Sequence, residues 1–126
     1  MENLTIEKTV STPLIHFDAA AGRLEIQGES YPENVAKFYT PVLDWIKEYL
    51  SSTYDDAVIR FDIPYFNSST SKILLVIFDL LEQGVKNGKQ LSVKWMCQEE
   101  NEMAFECGEE FKEDLEGLTF EIEQYE

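Results

Sequence analysis

The chain has 126 residues, 44% of them hydrophobic and 13% aromatic, and carries a formal charge of −15 at neutral pH. A sequence this apolar is no disordered acidic tail. At this length one domain over residues 1–126 is expected, burying about two thirds of the surface the unfolded chain exposes and leaving the charge outside. Such a surface repels phosphate backbones and anionic lipids over about a Debye length, which sets aside nucleic acid and membrane insertion. Basic protein surfaces, or hydrophobic grooves with basic rims, are the better partners.

The opening stretch MENLTIEKTV has no basic region followed by a long apolar run, so it does not read as a signal peptide. No stretch reaches the roughly 18 apolar residues that span a bilayer, and a cytoplasmic protein is expected. Leu4, Ile6 and Val10 alternate with polar neighbours and predict a strand near residues 3 to 9 with one face buried. After Pro13, Leu14 to Phe17 and Arg23 to Gln27 read as a hairpin across Asp18-Ala19-Ala20-Ala21-Gly22, making the opening strands an antiparallel meander. His16, the only histidine, falls in that hairpin, and a structural role is expected for it. Ser30-Tyr31-Pro32-Glu33-Asn34 marks the start of a helix running to about Leu50, with Val35, Phe38, Tyr39, Val42, Ile46 and Tyr49 at helical spacing. Pro41 either kinks this helix or restarts it with Thr40 as cap.

Ala57 to Tyr65 alternates Ile59, Phe61, Ile63 and Tyr65 against Arg60 and Asp62. Val58 adds an apolar residue to the second face, so the strand is expected to be central and covered on both sides. A hydroxyl-rich turn, Asn67-Ser68-Ser69-Thr70-Ser71, then caps a strongly apolar helix that Gly84 and Asn87-Gly88 stop, with only Lys72, Asp79, Glu82 and Gln83 interrupting its surface. Leu91 to Met96 forms the next strand, Gln98 to Glu116 an acidic helix with an apolar stripe of Met103, Ala104, Cys107, Phe111 and Leu115, and Leu118 to Glu123 a closing strand. The order predicts an α/β domain with a mixed sheet, antiparallel at its start, packed helices and at least one right-handed parallel crossover.

Few residues invite chemistry. Cys97 and Cys107 suit neither a C-x-x-C redox pair nor a zinc knuckle and read as buried thiols. The acidic segments lack a calcium-binding loop, there is no glycine-rich phosphate cradle, and no metal or cofactor is expected. The carboxylates from Glu99 to Glu116 read as a solvated helix face, or else as a charge-complementary partner surface. One cap needs one hydroxyl, whereas four stand in succession at residues 68 to 71. The excess points to a phosphoacceptor, an anion site or a nucleophile. Ser69-Thr70-Ser71-Lys72 matches the S-x-x-K spacing of penicillin-binding hydrolases, but no S-D-N or K-T-G element follows.

The SYPEN stretch with FYTPVLDW, the segment FDIPYFNSSTSK, the VKW strand and the acidic GEEFKEDL together resemble the SiaC-type family of bacterial regulatory phosphoproteins over nearly the whole chain. The resemblance implies an architecture similar to the anti-sigma-factor antagonists, of the STAS type, and a non-enzymatic protein switched by a Ser/Thr protein kinase and a PP2C-type phosphatase. It further implies that the unmodified form binds and activates a diguanylate cyclase, raising cyclic di-GMP and favouring biofilm. An anti-sigma factor is the alternative partner. The family's acceptor, typically Thr, follows the Asn and falls on Ser68. Because Ser stands there and Thr70 lies two residues on, Ser69 and Thr70 are alternative acceptors. An interface centred on the turn would comprise Tyr65, Asn67, Ser68, Ser69 and Lys72.

Overall fold

The computed structural model describes residues 1–126. Three strands come first, β1 (Leu4–Ile6), β2 (Leu14–Asp18) and β3 (Arg23–Gln27). Helices and strands then alternate: α1 (Val35–Leu50), β4 (Asp56–Asp62), α2 (Ser68–Lys86), β5 (Gln90–Gln98), α3 (Glu102–Glu113) and β6 (Thr119–Tyr125). The six strands lie side by side in chain order, antiparallel from β1 to β3 and parallel from β3 to β6. Each helix is therefore a crossover between neighbouring parallel strands. Right-handed crossovers in an order that never reverses place all three helices on one face of the sheet.

Side-chain burial follows from that layering. Along β4, Ala57, Ile59 and Phe61 are buried under the helices, while Val58 and Arg60 look out from the other face. The expectation that β4 is covered on both sides is thus corrected: Val58 is 36% exposed, because no helix crosses behind the sheet. The bare face is tolerated because its rows are polar, His16, Glu25, Arg60, Lys94 and Glu121 standing side by side across neighbouring strands. His16 is exposed there.

The core centres on Trp95 of β5, whose ring lies 5.4 to 6.5 Å from those of Phe61, Phe66, Phe78, Phe111 and Phe120. Its indole Nε1 donates to the Ala104 carbonyl at 2.9 Å, so the one polar atom of the ring is satisfied.

Several element ends differ from expectation. β1 stops at Ile6 and leaves Val10 exposed. Helix α1 begins at Val35, capped by Asn34, whose side chain accepts from Lys37 N at 3.0 Å. It then runs unbroken through Pro41, the Thr40 hydroxyl bonding back to the Ala36 carbonyl rather than capping a new helix. β5 extends to Gln98, so α3 starts only at Glu102 under an Asn101 cap, and Met103 is exposed. The acidic residues of α3 do face solvent. No helix is long and apolar enough to cross a membrane.

Candidate functional site

Between β4 and α2 the chain passes from a sheet strand to a helix start in five residues, and neighbouring segments hold it there. Phe66 is the inward anchor, packing against the rings of Trp95 and Phe111 at 6.0 and 6.3 Å. Ser30, on the segment leading to α1, forms a parallel bridge to Phe66. Its N–H donates to the Tyr65 carbonyl at 2.9 Å and its carbonyl accepts from Asn67 N at 3.2 Å. From the opposite side Asn101 Nδ2 donates to the Pro64 carbonyl at 2.9 Å. Tyr65, 45% exposed, sets its ring edge-on to Tyr31 at 5.7 Å.

Asn67 is the cap of α2, its Oδ1 accepting from Thr70 N at 3.0 Å. With that bond made, the first turn is committed to one helical phase. Ser68 and Ser69 are exposed, Ser71 is half-buried, and Thr70 turns inward with no exposed surface. The Thr70 hydroxyl donates to the Ser30 carbonyl at 3.0 Å and lies 2.9 Å from Ser30 Oγ, which in turn pairs with the Tyr39 hydroxyl at 2.7 Å. Burial pushes the Tyr39 phenol up to about 12, against a smaller opposing effect of the Ser30 hydrogen bond, so the chain of hydroxyls is neutral. Thr70 presents no surface to solvent. Of the four hydroxyls counted in the sequence, those of Ser68 and Ser69 belong to exposed residues.

The electrostatics at this tip suit an added anion. The first turn of α2 holds no acidic residue, and its N-terminus carries roughly half a positive charge. Lys72, one turn along, is exposed. The expected interface residues Tyr65, Asn67, Ser68, Ser69 and Lys72 thus fall together on the loop and first turn. Asn67 is half-buried with its side-chain oxygen occupied by the cap.

Two residues that sequence reasoning missed extend the surface. Leu75 and Val76 are 48% and 44% exposed, in line with Ser68, Lys72 and Asp79 at helical spacing. The apolar surface of α2, interrupted only by Lys72, Asp79, Glu82 and Gln83, implies a helix packed over most of its circumference. Instead it lies on one sheet face only, and its outward side is partly apolar. The available signal was the unbroken apolar run from Ile73 to Phe78, which supplies more hydrophobic surface than one face of a helix can bury.

The nucleophile reading finds no support. Ser69 and Lys72 stand exposed on the helix, while a cavity of about 820 Å³ opens elsewhere, beside Gly22, Arg23, Arg60 and Lys94. Burial pushes the thiols of both Cys97 and Cys107 up, away from a reactive thiolate.

The fold is shared with known proteins. The family model described as "SiaC family regulatory phosphoprotein" matches residues 6–125. An uncharacterized protein of Pseudomonas aeruginosa strain UCBPP-PA14 is 39% identical over 114 residues, 90% of each chain. Among solved structures, SiaC of Pseudomonas aeruginosa superposes with a TM-score of 0.92 at 35% identity, covering 99% of this chain and 100% of that one. A chain in the crystal structure of the diguanylate cyclase SiaD in complex with its activator SiaC, from the same organism, matches with a TM-score of 0.92 at 37% identity, covering 97% of this chain and 99% of that one.

Proposed function

The chain belongs to the SiaC family of regulatory phosphoproteins, and from that premise we propose that it is a non-enzymatic switch whose state is the charge on Ser68. In the unmodified form the α2 tip, with Tyr65, Lys72, Leu75 and Val76 around it, docks on a diguanylate cyclase and activates it, favouring cyclic di-GMP output and biofilm. A Ser/Thr protein kinase closes the switch by phosphorylating Ser68, and a PP2C-type phosphatase reopens it. The observation that carries this reading is the placement of an exposed hydroxyl at the first position of α2, next to an exposed apolar stripe on the same helix. A cyclase is favoured over an anti-sigma factor because the SiaC of the neighbouring structure is a cyclase's activator.

The physics of the switch is local. A phosphate adds a charge of about −1.5 to −2. At a helix N-terminus that charge is stabilised, so modification leaves α2 folded. Its effect falls on the partner, because burying a near-dianion without a cation costs several kcal/mol. A penalty of about 3 to 4 kcal/mol weakens binding more than a hundredfold.

The test supplies the cognate kinase and ATP, locates the phosphate by mass spectrometry and measures cyclase binding. One phosphate on Ser68 is expected, absent in Ser68→Ala. Ser68→Glu should bind the cyclase at least about a hundredfold more weakly while melting at the parent temperature. A Ser68→Glu variant that binds and activates the cyclase like the parent sinks the proposal.

A further inference from the structure

Two exposed serines compete at the tip, yet the fold treats them differently, and the difference originates beneath them. Ser30 commits its N–H, carbonyl and hydroxyl to the acceptor loop and its surroundings: Tyr65, Asn67, Thr70 and Tyr39. Both Ser30 and Thr70 are fully buried, at 0% exposure. Apolar residues of the same size would fill this volume without desolvating three hydroxyls. Directional hydrogen bonds hold an inward hydroxyl at Ser30, and the Asn67 Oδ1 bond to Thr70 N makes that hydroxyl the one on Thr70. In a run of four such residues, a change of helical phase by one position would still place a hydroxyl against Ser30. The Thr70 hydroxyl bonds, together with the Asn67 cap, single out one phase.

We propose that Ser30, acting through Thr70, is the positioning residue that selects Ser68 over Ser69 as the acceptor; this rests on the phosphorylation switch proposed above. An α-helix turns about 100° per residue. With Thr70 pinned inward, Ser68 stands about 200° away, close to the outward normal, whereas Ser69 stands about 100° away, toward the flank. The buried latch thus presents one hydroxyl to a modifying enzyme and holds the other aside. Tyr39, on α1, anchors the far end of the latch.

The experiment compares the parent with Thr70→Val, which keeps the shape and removes the hydroxyl, Thr70→Ser, which restores it, and Tyr39→Phe, which frees the far end and replaces Thr70→Val should that variant not fold. Ile77→Val, a core change outside the latch, controls for general loss of stability. Kinase activity from a source-cell extract, supplied with ATP, is followed by site-resolved mass spectrometry, and amide hydrogen exchange is read at Asn67 and Ser71. The Ser68-to-Ser69 phosphate ratio should be at least tenfold in the parent and in Thr70→Ser. It should fall at least fivefold in Thr70→Val and stay unchanged in Ile77→Val. Exchange at Asn67 and Ser71 should rise at least tenfold in Thr70→Val alone among the position-70 and position-77 variants. An unchanged site ratio in Thr70→Val, or an equal fall in Ile77→Val, overturns the latch. If the parent takes up no phosphate, it is the switch that fails, and the exchange rates still decide whether Thr70 holds the turn.

Discussion

Gly108 of α3 packs directly against the indole of Trp95 on β5. A Cβ built there would stand 2.5 Å from Trp95 Cδ1 and 2.8 Å from its Nε1. The indole cannot retreat, since it is 1% exposed, ringed by phenylalanines, and its Nε1 is bonded to the Ala104 carbonyl. Two effects of Gly108→Ala therefore oppose one another. Helix propensity favours alanine by about 1 kcal/mol; overpacking a rigid core costs about 1 to 3 kcal/mol. The second wins here, because relief would require moving the ring at the centre of the core. Gly108→Ala should lower the free energy of unfolding by about 1 kcal/mol, measured by urea titration. Equal or greater stability would mean that α3 can lift from Trp95. The same residue-scale logic governs Thr70, where the direction of a single side chain decides whether a hydroxyl is structural or available.

Helix α2 has two ends with different work. Its N-terminus carries the exposed serines, and near its C-terminal end Glu82 ties the element to the turn between α3 and β6. The Glu82 carboxylate accepts from Glu116 N at 2.6 Å and Gly117 N at 3.1 Å. These backbone donors hold its carboxyl below the usual range, with a smaller contribution from Lys86 against a small desolvation cost. A carboxyl lowered on folding adds stability that is fully present above its unfolded value of about 4.3. That stability is lost as pH falls through the folded value. Glu82→Gln should accordingly be less stable than the parent at pH 7, with the gap closing below pH of about 4. Urea melts across that range measure it, and a pH-independent gap would show that the carboxylate charge is irrelevant to the tie. Between the two ends, the exposed Leu75 and Val76 cost the element little to display, because its inner face is already filled by Leu74, Ile77, Phe78 and Leu81.

At the scale of the molecule, 25 carboxylates face 10 lysines and arginines, and the structure makes one ion pair, Lys94 with Glu123 at 3.4 Å. Half-exposed, that pair contributes little, so the surface charge acts chiefly as self-repulsion. Raising ionic strength from about 0.01 to about 0.1 M shortens the Debye length from about 30 to about 10 Å. The melting temperature should rise over this interval, and a fall in calorimetric scans would mean that favourable pairs outweigh repulsion. Charge, element order and the capped start of α2 are local properties, which is why they were legible beforehand. Asn67 ahead of the serines, the alternation of Arg23 to Gln27 and the acidic face of α3 all read correctly from neighbours in the chain, as did the mixed sheet with its antiparallel start. What neighbours cannot report is which faces other elements will cover. Val58 looked like half of a doubly covered strand and lies bare, because all three crossovers pass on the other side of the sheet. Leu75 and Val76 looked buried and face outward for the same reason. Ser30 read as part of a helix start, and Thr70 as one of several equivalent hydroxyls. Their partnership spans 40 positions of sequence and exists only once β3, α1 and α2 have come together. The sequence alone determined that a hydroxyl-rich helix start exists and that Ser68 lies in it; the tertiary structure decided which hydroxyls reach solvent, because burial is a property of packed layers and not of any residue's neighbours in the chain.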